Sequence, residues 1–133
     1  MQNSFWIEMW ILCIELWRVN DNPSFYRHHT VPGPPYILSD RQYTDLIDVD
    51  FAEPCEQNGE ILGYRVQYQE FGQRFSNPIQ YPASQRRIRV TGLRQQTRYI
   101  LELSAKTSLG FGQKATIEFY TKGSPGIYWF RYF

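Results

Sequence analysis

An antiparallel β-sandwich of about seven short strands is the fold class this sequence predicts. Three observations carry that expectation. Apolar and polar residues alternate with a period of two, most clearly Tyr99, Leu101, Leu103 and Ala105 against Ile100, Glu102, Ser104 and Lys106. Ten Tyr and nine Phe among 133 residues favour strands over helices. Leu93, Thr97 and Tyr99 stand in a Leu-x3-Thr-x-Tyr spacing. That spacing suits a tyrosine corner, in which the ring packs inward and the hydroxyl bonds back to upstream backbone.

Length and composition set the frame. A chain of 133 residues with 42% hydrophobic content makes one domain with tails the default. The net charge of +1 gives no bulk electrostatic case for a nucleic-acid partner. Cys13 and Cys55 form no Cys-x-x-Cys motif and no disulfide framework. A bridge between them and a pair of free thiols are both open readings.

The chain divides into an N-terminal extension and linker (residues 1–31), a sandwich domain (32–122) and a C-terminal tail (123–133). Phe5 to Trp17 is apolar but contains Glu8 and Glu15. It is shorter than the roughly 20 residues a membrane-spanning helix needs. It lacks the basic start and small-residue cleavage site of a signal peptide. A helix there would place Trp6, Trp10, Cys13 and Trp17 on one face. A docking or interfacial helix, a degenerate signal-anchor and an irregular extension outside the folded domain remain open, the last being the plainest. Asn20 to Pro35, with four prolines, His28 and His29, reads as linker.

The strands follow in order. Tyr36 to Ser39 is a short first strand, its pairing limited by the preceding prolines. In Leu46 to Phe51, Ile47, Val49 and Phe51 point inward and Asp48 and Asp50 outward. Pro54 and the Asn58-Gly59 turn mark the next loop. Ile61 to Glu70 turns Tyr64, Val66 and Tyr68 inward and Arg65, Gln67 and Gln69 outward. Pro78 and Pro82 leave room only for a short edge strand at Ile79 to Tyr81. Arg87 to Thr91 buries Ile88 and Val90. The long alternating strand after Leu93 ends at Gly110 and Gly112, expected to supply positive φ angles. Lys114 to Thr121 closes the sheet with Ile117 and Phe119 inward. The tail packs Tyr128, Trp129, Phe130, Tyr132 and Phe133 into six positions. Such a tail suits an interface, a packing surface on the sandwich, or the cut end of a longer protein. The change of composition at both ends favours a fragment of a longer chain.

Residues 34–121 resemble a fibronectin type III domain, an immunoglobulin-like fold. The resemblance rests on the prolines before the first strand, VDFAEP at Val49 to Pro54 and NGEILGYRVQYQE at Asn58 to Glu70. VTGLRQQTRY at Val90 to Tyr99 and AKTSLGFG at Ala105 to Gly112 complete it. Members of that family usually carry Trp where Phe51 stands, which implies a looser core at that point. The motifs are most similar to modules of neuroglian- and neurofascin-type neural adhesion molecules. Sidekick-like proteins and receptor tyrosine phosphatase ectodomains use similar ones. The resemblance implies a non-catalytic interaction or spacer module on the extracellular face of the plasma membrane. Its partners would be adhesion ectodomains, homophilic or heterophilic, with membrane attachment only through other parts of a parent protein.

No catalytic, cofactor or metal site is expected. His28 and His29 lie in the linker, and with Cys13 they lack metal-ligand spacing. The glycines at 110 and 112 do not lead from a parallel strand into a helix, so they do not read as a phosphate cradle. There is no Asn-x-Ser/Thr sequon and no Arg-Gly-Asp. The candidate sites are therefore surfaces. Arg86, Arg87, Arg89, Arg94 and Arg98 could read an anionic heparan-type glycan or an acidic partner. Alternatively, Arg87 and Arg89 form cross-strand pairs with Asp48 and Asp50 as ordinary sheet surface. A pair between Arg65 and Glu102 is expected on the other sheet. Phe111, in the last loop, is either a contact residue or a lid over the core. The loops Cys55 to Glu60 and Leu109 to Gln113 are expected at one end of the sandwich.

Overall fold

The computed structural model describes residue 13 and residues 30–124. The N-terminal helical face (Cys13 excepted), both histidines and the aromatic tail therefore lie outside the described residues. Neither Cys13 nor Cys55 is a free thiol, so the reading of two free thiols does not hold. The fold is that of the unit beginning at Val31.

Alternation builds seven strands. Strands β1 (Tyr36–Gln42), β2 (Ile47–Ala52) and β5 (Arg87–Val90) form one antiparallel sheet with β2 in the centre. Strands β4 (Ile79–Pro82), β3 (Gly63–Glu70), β6 (Arg98–Thr107) and β7 (Gly110–Tyr120) form the other, in that order. The inward residues of each strand meet between the sheets: Ile47, Val49 and Phe51 of β2 and Ile88 and Val90 of β5 face Tyr64 and Val66 of β3. Tyr99, Leu101, Leu103 and Ala105 of β6 and Phe119 of β7 complete that core. Each large side chain buried this way contributes about 1.5–3 kcal/mol.

Phe51 is only 1% exposed. Its ring meets Tyr64 edge to face, with centroids 4.8 Å apart. The Tyr64 hydroxyl is buried and has no hydrogen-bond partner among the described residues. Burial pushes its pKa up. Tyr99 is built differently. Its ring stacks on Phe119 at 5.5 Å, and its hydroxyl accepts a hydrogen bond from the Arg94 N–H at 2.9 Å. The Thr121 hydroxyl donates to the Arg94 carbonyl at 2.5 Å and accepts from the Thr97 N–H at 3.0 Å. The connection from β5 to β6 is thus fixed by side chains from two other places in the chain.

Four details differ from the sequence expectation. Strand β1 runs three residues beyond Ser39, because a bulge between Ile37 and Ser39 restores register with β2. Strand β7 begins at Gly110 rather than Lys114, since a tight turn after Thr107 and a bulge opposite Ser104–Lys106 keep residues 110–113 in the sheet. Gly110 has a φ of 124°, as expected, but Gly112 has no positive φ. Gly112 is needed instead because a Cβ there would overlap the Pro32 carbonyl, which accepts the neighbouring Gln113 N–H at 2.9 Å. Ser104, on the outward side of β6, is only 2% exposed. It lies between Arg65 and Lys114 in register, under longer side chains.

The lead-in Val31–Gly33 joins both loops of that end. Gly33 N–H donates to the Glu56 carbonyl at 2.8 Å, and the Asn58 side-chain amide donates to the Val31 carbonyl at 3.0 Å. Both loops therefore sit at one end of the sandwich, through Pro32 and its neighbours. At the opposite end of β7 the Lys122 N–H donates to the Tyr43 carbonyl at 2.8 Å.

The two tyrosines are expected to respond in opposite ways to loss of the hydroxyl. Tyr99→Phe orphans a loop N–H and is expected to cost about 1–3 kcal/mol, whereas Tyr64→Phe removes an unpartnered hydroxyl and is expected to be neutral or stabilising. Gly112→Ala is expected to cost about 1–3 kcal/mol by displacing the lead-in. Urea denaturation of the 133-residue chain measures all three. Equal costs for the two Tyr→Phe changes would remove the structural role assigned to the Tyr99 hydroxyl.

Candidate functional site

The arginines singled out in the sequence do not form one patch. Arg87 and Arg89 project from β5 on the outer face of the three-stranded sheet, opposite Asp50 and Asp48 in register. Arg89 donates twice to Asp48, at 2.7 and 2.8 Å. Arg87 donates to Asp50 at 2.6 and 3.3 Å, and Arg41 and Ser39 reach the same carboxylate from β1. Arg86 pairs with Glu53 and donates to the carbonyls of Ala83 and Gln85. Arg94 lies 3.6 Å from Glu70. Arg98, on the outer face of the other sheet, pairs with Glu118 at 2.6 Å and lies over Phe71. All five have a carboxylate partner, and they are dispersed: Arg87 and Arg89 on one outer face, Arg98 on the opposite one, and Arg86 and Arg94 in the connections on either side of β5.

The cross-strand pairs follow from the period of two. Alternation puts Asp48 and Asp50 outward, and the antiparallel register sets an arginine across from each. The Asp48 carboxylate is only 4% exposed, while the Arg89 side chain is 61% exposed. Hydrogen bonds from Arg89, with smaller help from the Arg41 and Arg87 charges, hold Asp48 below the usual carboxylate range against the opposing effect of burial. Hydrogen bonds from Arg87 do the same for Asp50.

The outer face of the four-stranded sheet is different. The expected Arg65–Glu102 pair does not form. Register places Gln67, not Arg65, opposite Glu102, and Lys114 takes that carboxylate at 2.6 Å. Arg65 instead lays its guanidinium 4.0 Å over the ring of Phe111, and the Lys106 ammonium lies 5.5 Å from the same ring. Phe111 is therefore no lid over the core. It is a strand residue on the outer face, paired with Lys106 across the hairpin. Phe71, Phe75 and Tyr120 also stand exposed around this sheet. The grouping of Arg65 and Lys106 about Phe111 is not legible in the sequence because it depends on the β6–β7 bulge, which shifts register by one residue. Alternation gave only their place on the outward side.

A depressed carboxylate pKa stabilises the fold above its unfolded value and ceases to do so as pH falls through the folded value. Asp48 begins from an ordinary value of 3.8 and lies lower when folded. Asp48→Asn is expected to be less stable than the natural chain at neutral pH. The gap should close only as the pH drops below about 4. Denaturation midpoints measured across that range test this. A gap independent of pH would show that the Asp48 charge does not contribute.

Comparison with known proteins places this geometry. The family model for the fibronectin type III domain matches residues 31–121. Protein sidekick-2 of Gallus gallus is 39% identical over 88 residues, 65% of this chain and 4% of that protein. Receptor-type tyrosine-protein phosphatase F of Homo sapiens is 33% identical over 84 residues, 63% of this chain and 4% of that protein. Both belong to the sidekick and receptor tyrosine phosphatase groups, which use similar modules, rather than to the neuroglian and neurofascin type that the motifs suggest first. Among solved structures, the FN5 domain of Drosophila Lar superposes with a TM-score of 0.56 at 28% identity, covering 71% of this chain and all of that one. The chain thus spans a small fraction of the length of the relatives it matches. With its two sheets, their strand order and the matched residues 31–121, the chain belongs to the fibronectin type III domain family.

Proposed function

We propose that this chain is a non-catalytic protein-interaction and spacer module of a cell-surface adhesion or receptor protein. It works at the extracellular face of the plasma membrane, and its partners are adhesion ectodomains, homophilic or heterophilic. The observation that carries this reading is the distribution of its side chains. The five arginines singled out in the sequence are each tied to a carboxylate, while Phe71, Phe75, Leu109 and Tyr120 stand exposed on the sandwich. Exposed apolar side chains beside charges mark protein contact surfaces more often than reaction centres. The relatives support the reading, since each matches over about 4% of a far longer protein, one of them a receptor-type phosphatase by name. The enzymatic part of the phosphatase is not implied, because the matched stretch is the fibronectin type III region.

The test is direct. The 133-residue chain, displayed on beads, is mixed with a panel of adhesion ectodomains and with beads bearing the same chain. Saturable binding to an ectodomain, or aggregation of the beads with one another, is the expected result. Absence of binding to every ectodomain and to itself would overturn the reading.

A further inference from the structure

The outer face of the four-stranded sheet is electrically uneven. Towards the start of β6, Arg98 pairs with Glu118 and Arg94 approaches Glu70, so cations and acids balance. Towards the β6–β7 turn the balance fails. Arg65, Lys106 and Lys114 gather there, and among the described residues Glu102, held by Lys114, is the only acid paired with any of them. Among the described residues no carboxylate lies within ion-pair distance of Arg65 or Lys106. Both cations share one apolar ring, that of Phe111. Leu109, at the turn beside them, is 52% exposed.

We propose that this corner is the docking point for an acidic segment of a partner protein. The proposal rests on the interaction-module reading and gives it a surface. Three physical features support it. Stacking on Phe111 holds the Arg65 guanidinium flat, so that less freedom is lost when it binds. A stacked guanidinium keeps its N–H edge for a carboxylate, which it can take with two parallel bonds. A ring and an exposed leucine beside two unneutralised cations suit a peptide carrying both acids and apolar side chains, and Arg and Phe are enriched in such contacts. A long polyanion such as a sulfated glycan fits less well. It would have to run from these cations across Glu102, Glu118 and Glu70, or round to the opposite face where Arg87 and Arg89 are already paired.

The test is a titration of the isotope-labelled full chain, followed by amide NMR. The probes are an acetylated hexapeptide of alternating Glu and Tyr, its Gln-for-Glu counterpart, and a heparin octasaccharide. Shifts from the acidic peptide are expected to concentrate at Arg65, Lys106 and Phe111. Its affinity should fall about tenfold in Arg65→Gln/Lys106→Gln and decline with added salt. Arg87→Gln/Arg89→Gln, on the other sheet, should bind as the natural chain does. The far-dispersed amide peaks of each variant report that it remains folded. The proposal falls if the acidic peptide does not bind, if the neutral peptide binds as well, or if the shifts cluster elsewhere. It falls equally if the Arg65/Lys106 variant keeps its affinity, or if heparin binds these residues more tightly than the peptide. In the bead assay, a natural chain and an Arg65/Lys106 variant that bind an ectodomain equally would leave the module reading standing and remove this surface. A natural chain that binds nothing there removes the module reading, and the titration then judges the corner on its own.

Discussion

The Tyr99 hydroxyl, accepting the Arg94 N–H, ties the packing of the core to the path of the chain between sheets. Strand β5 belongs to one sheet and β6 to the other. The segment that crosses between them has backbone groups that neither sheet can satisfy. Tyr99 serves it from inside the core, with its ring stacked on Phe119. Thr121, just past β7, serves it from the other side through the Arg94 carbonyl and the Thr97 N–H. The crossing therefore forms only when β6 and β7 are both in place, and the alternation of Tyr99, Leu101, Leu103 and Ala105 sets which face they bury. The register of the four-stranded sheet, and with it the position of every outward side chain, depends on that lock.

This explains which parts of the molecule were legible beforehand. Alternation identified the buried faces of β2, β3, β5, β6 and β7, because a one-residue slip would turn residues such as Ile47, Val49 and Phe51 out into water. With the strand order that the family resemblance implies, it also put Arg87 and Arg89 on one face with Asp48 and Asp50, while the register decides which arginine meets which acid. Whatever depended on an irregularity was not legible. The bulges opposite Ser104–Lys106 and between Ile37 and Ser39 shift register by a residue and leave no mark in a periodic pattern. The β6–β7 bulge is why Phe111 reads as a loop residue in the sequence, whereas Arg65 misses Glu102 for want of the exact β3–β6 register, which alternation does not give. Gly112 shows the same limit in another form. A glycine needed for a positive φ and one needed for close approach look alike in sequence, and only the position of Pro32 separates them.

The two outer faces use the same kinds of residue to opposite ends. On the three-stranded sheet, Asp48 and Asp50 lie beneath Arg41, Arg87 and Arg89, and the acids are the more buried members. Such pairs add little net stability where the arginines are open to solvent, but they leave that face few unmatched charges. On the four-stranded sheet, ion pairs are joined by cations laid over aromatic rings. Phe111 takes Arg65 and Lys106, and Phe71 takes Arg98 as well. A cation resting on a ring keeps more of its charge available than one locked to a carboxylate. The family scaffold is common to many proteins, so the difference between these two faces is where the individuality of this chain resides.

The clamps at the two ends of β7 bear on a mechanical property. Pro32 is held beside Gln113 and Tyr43 beside Lys122. The incoming chain is thus pinned at one end of a strand and the outgoing chain near the other. At about 3.3 Å per residue, the stretch from Gln113 to Lys122 sets a step of about 30 Å between entry and exit. Pulled at Val31 and Gly123, the domain would meet the load at those few backbone bonds, with the core sheltered behind them. The overlap that forbids a side chain at Gly112 is therefore also a constraint on reach: in a string of such modules it helps fix where the next one begins.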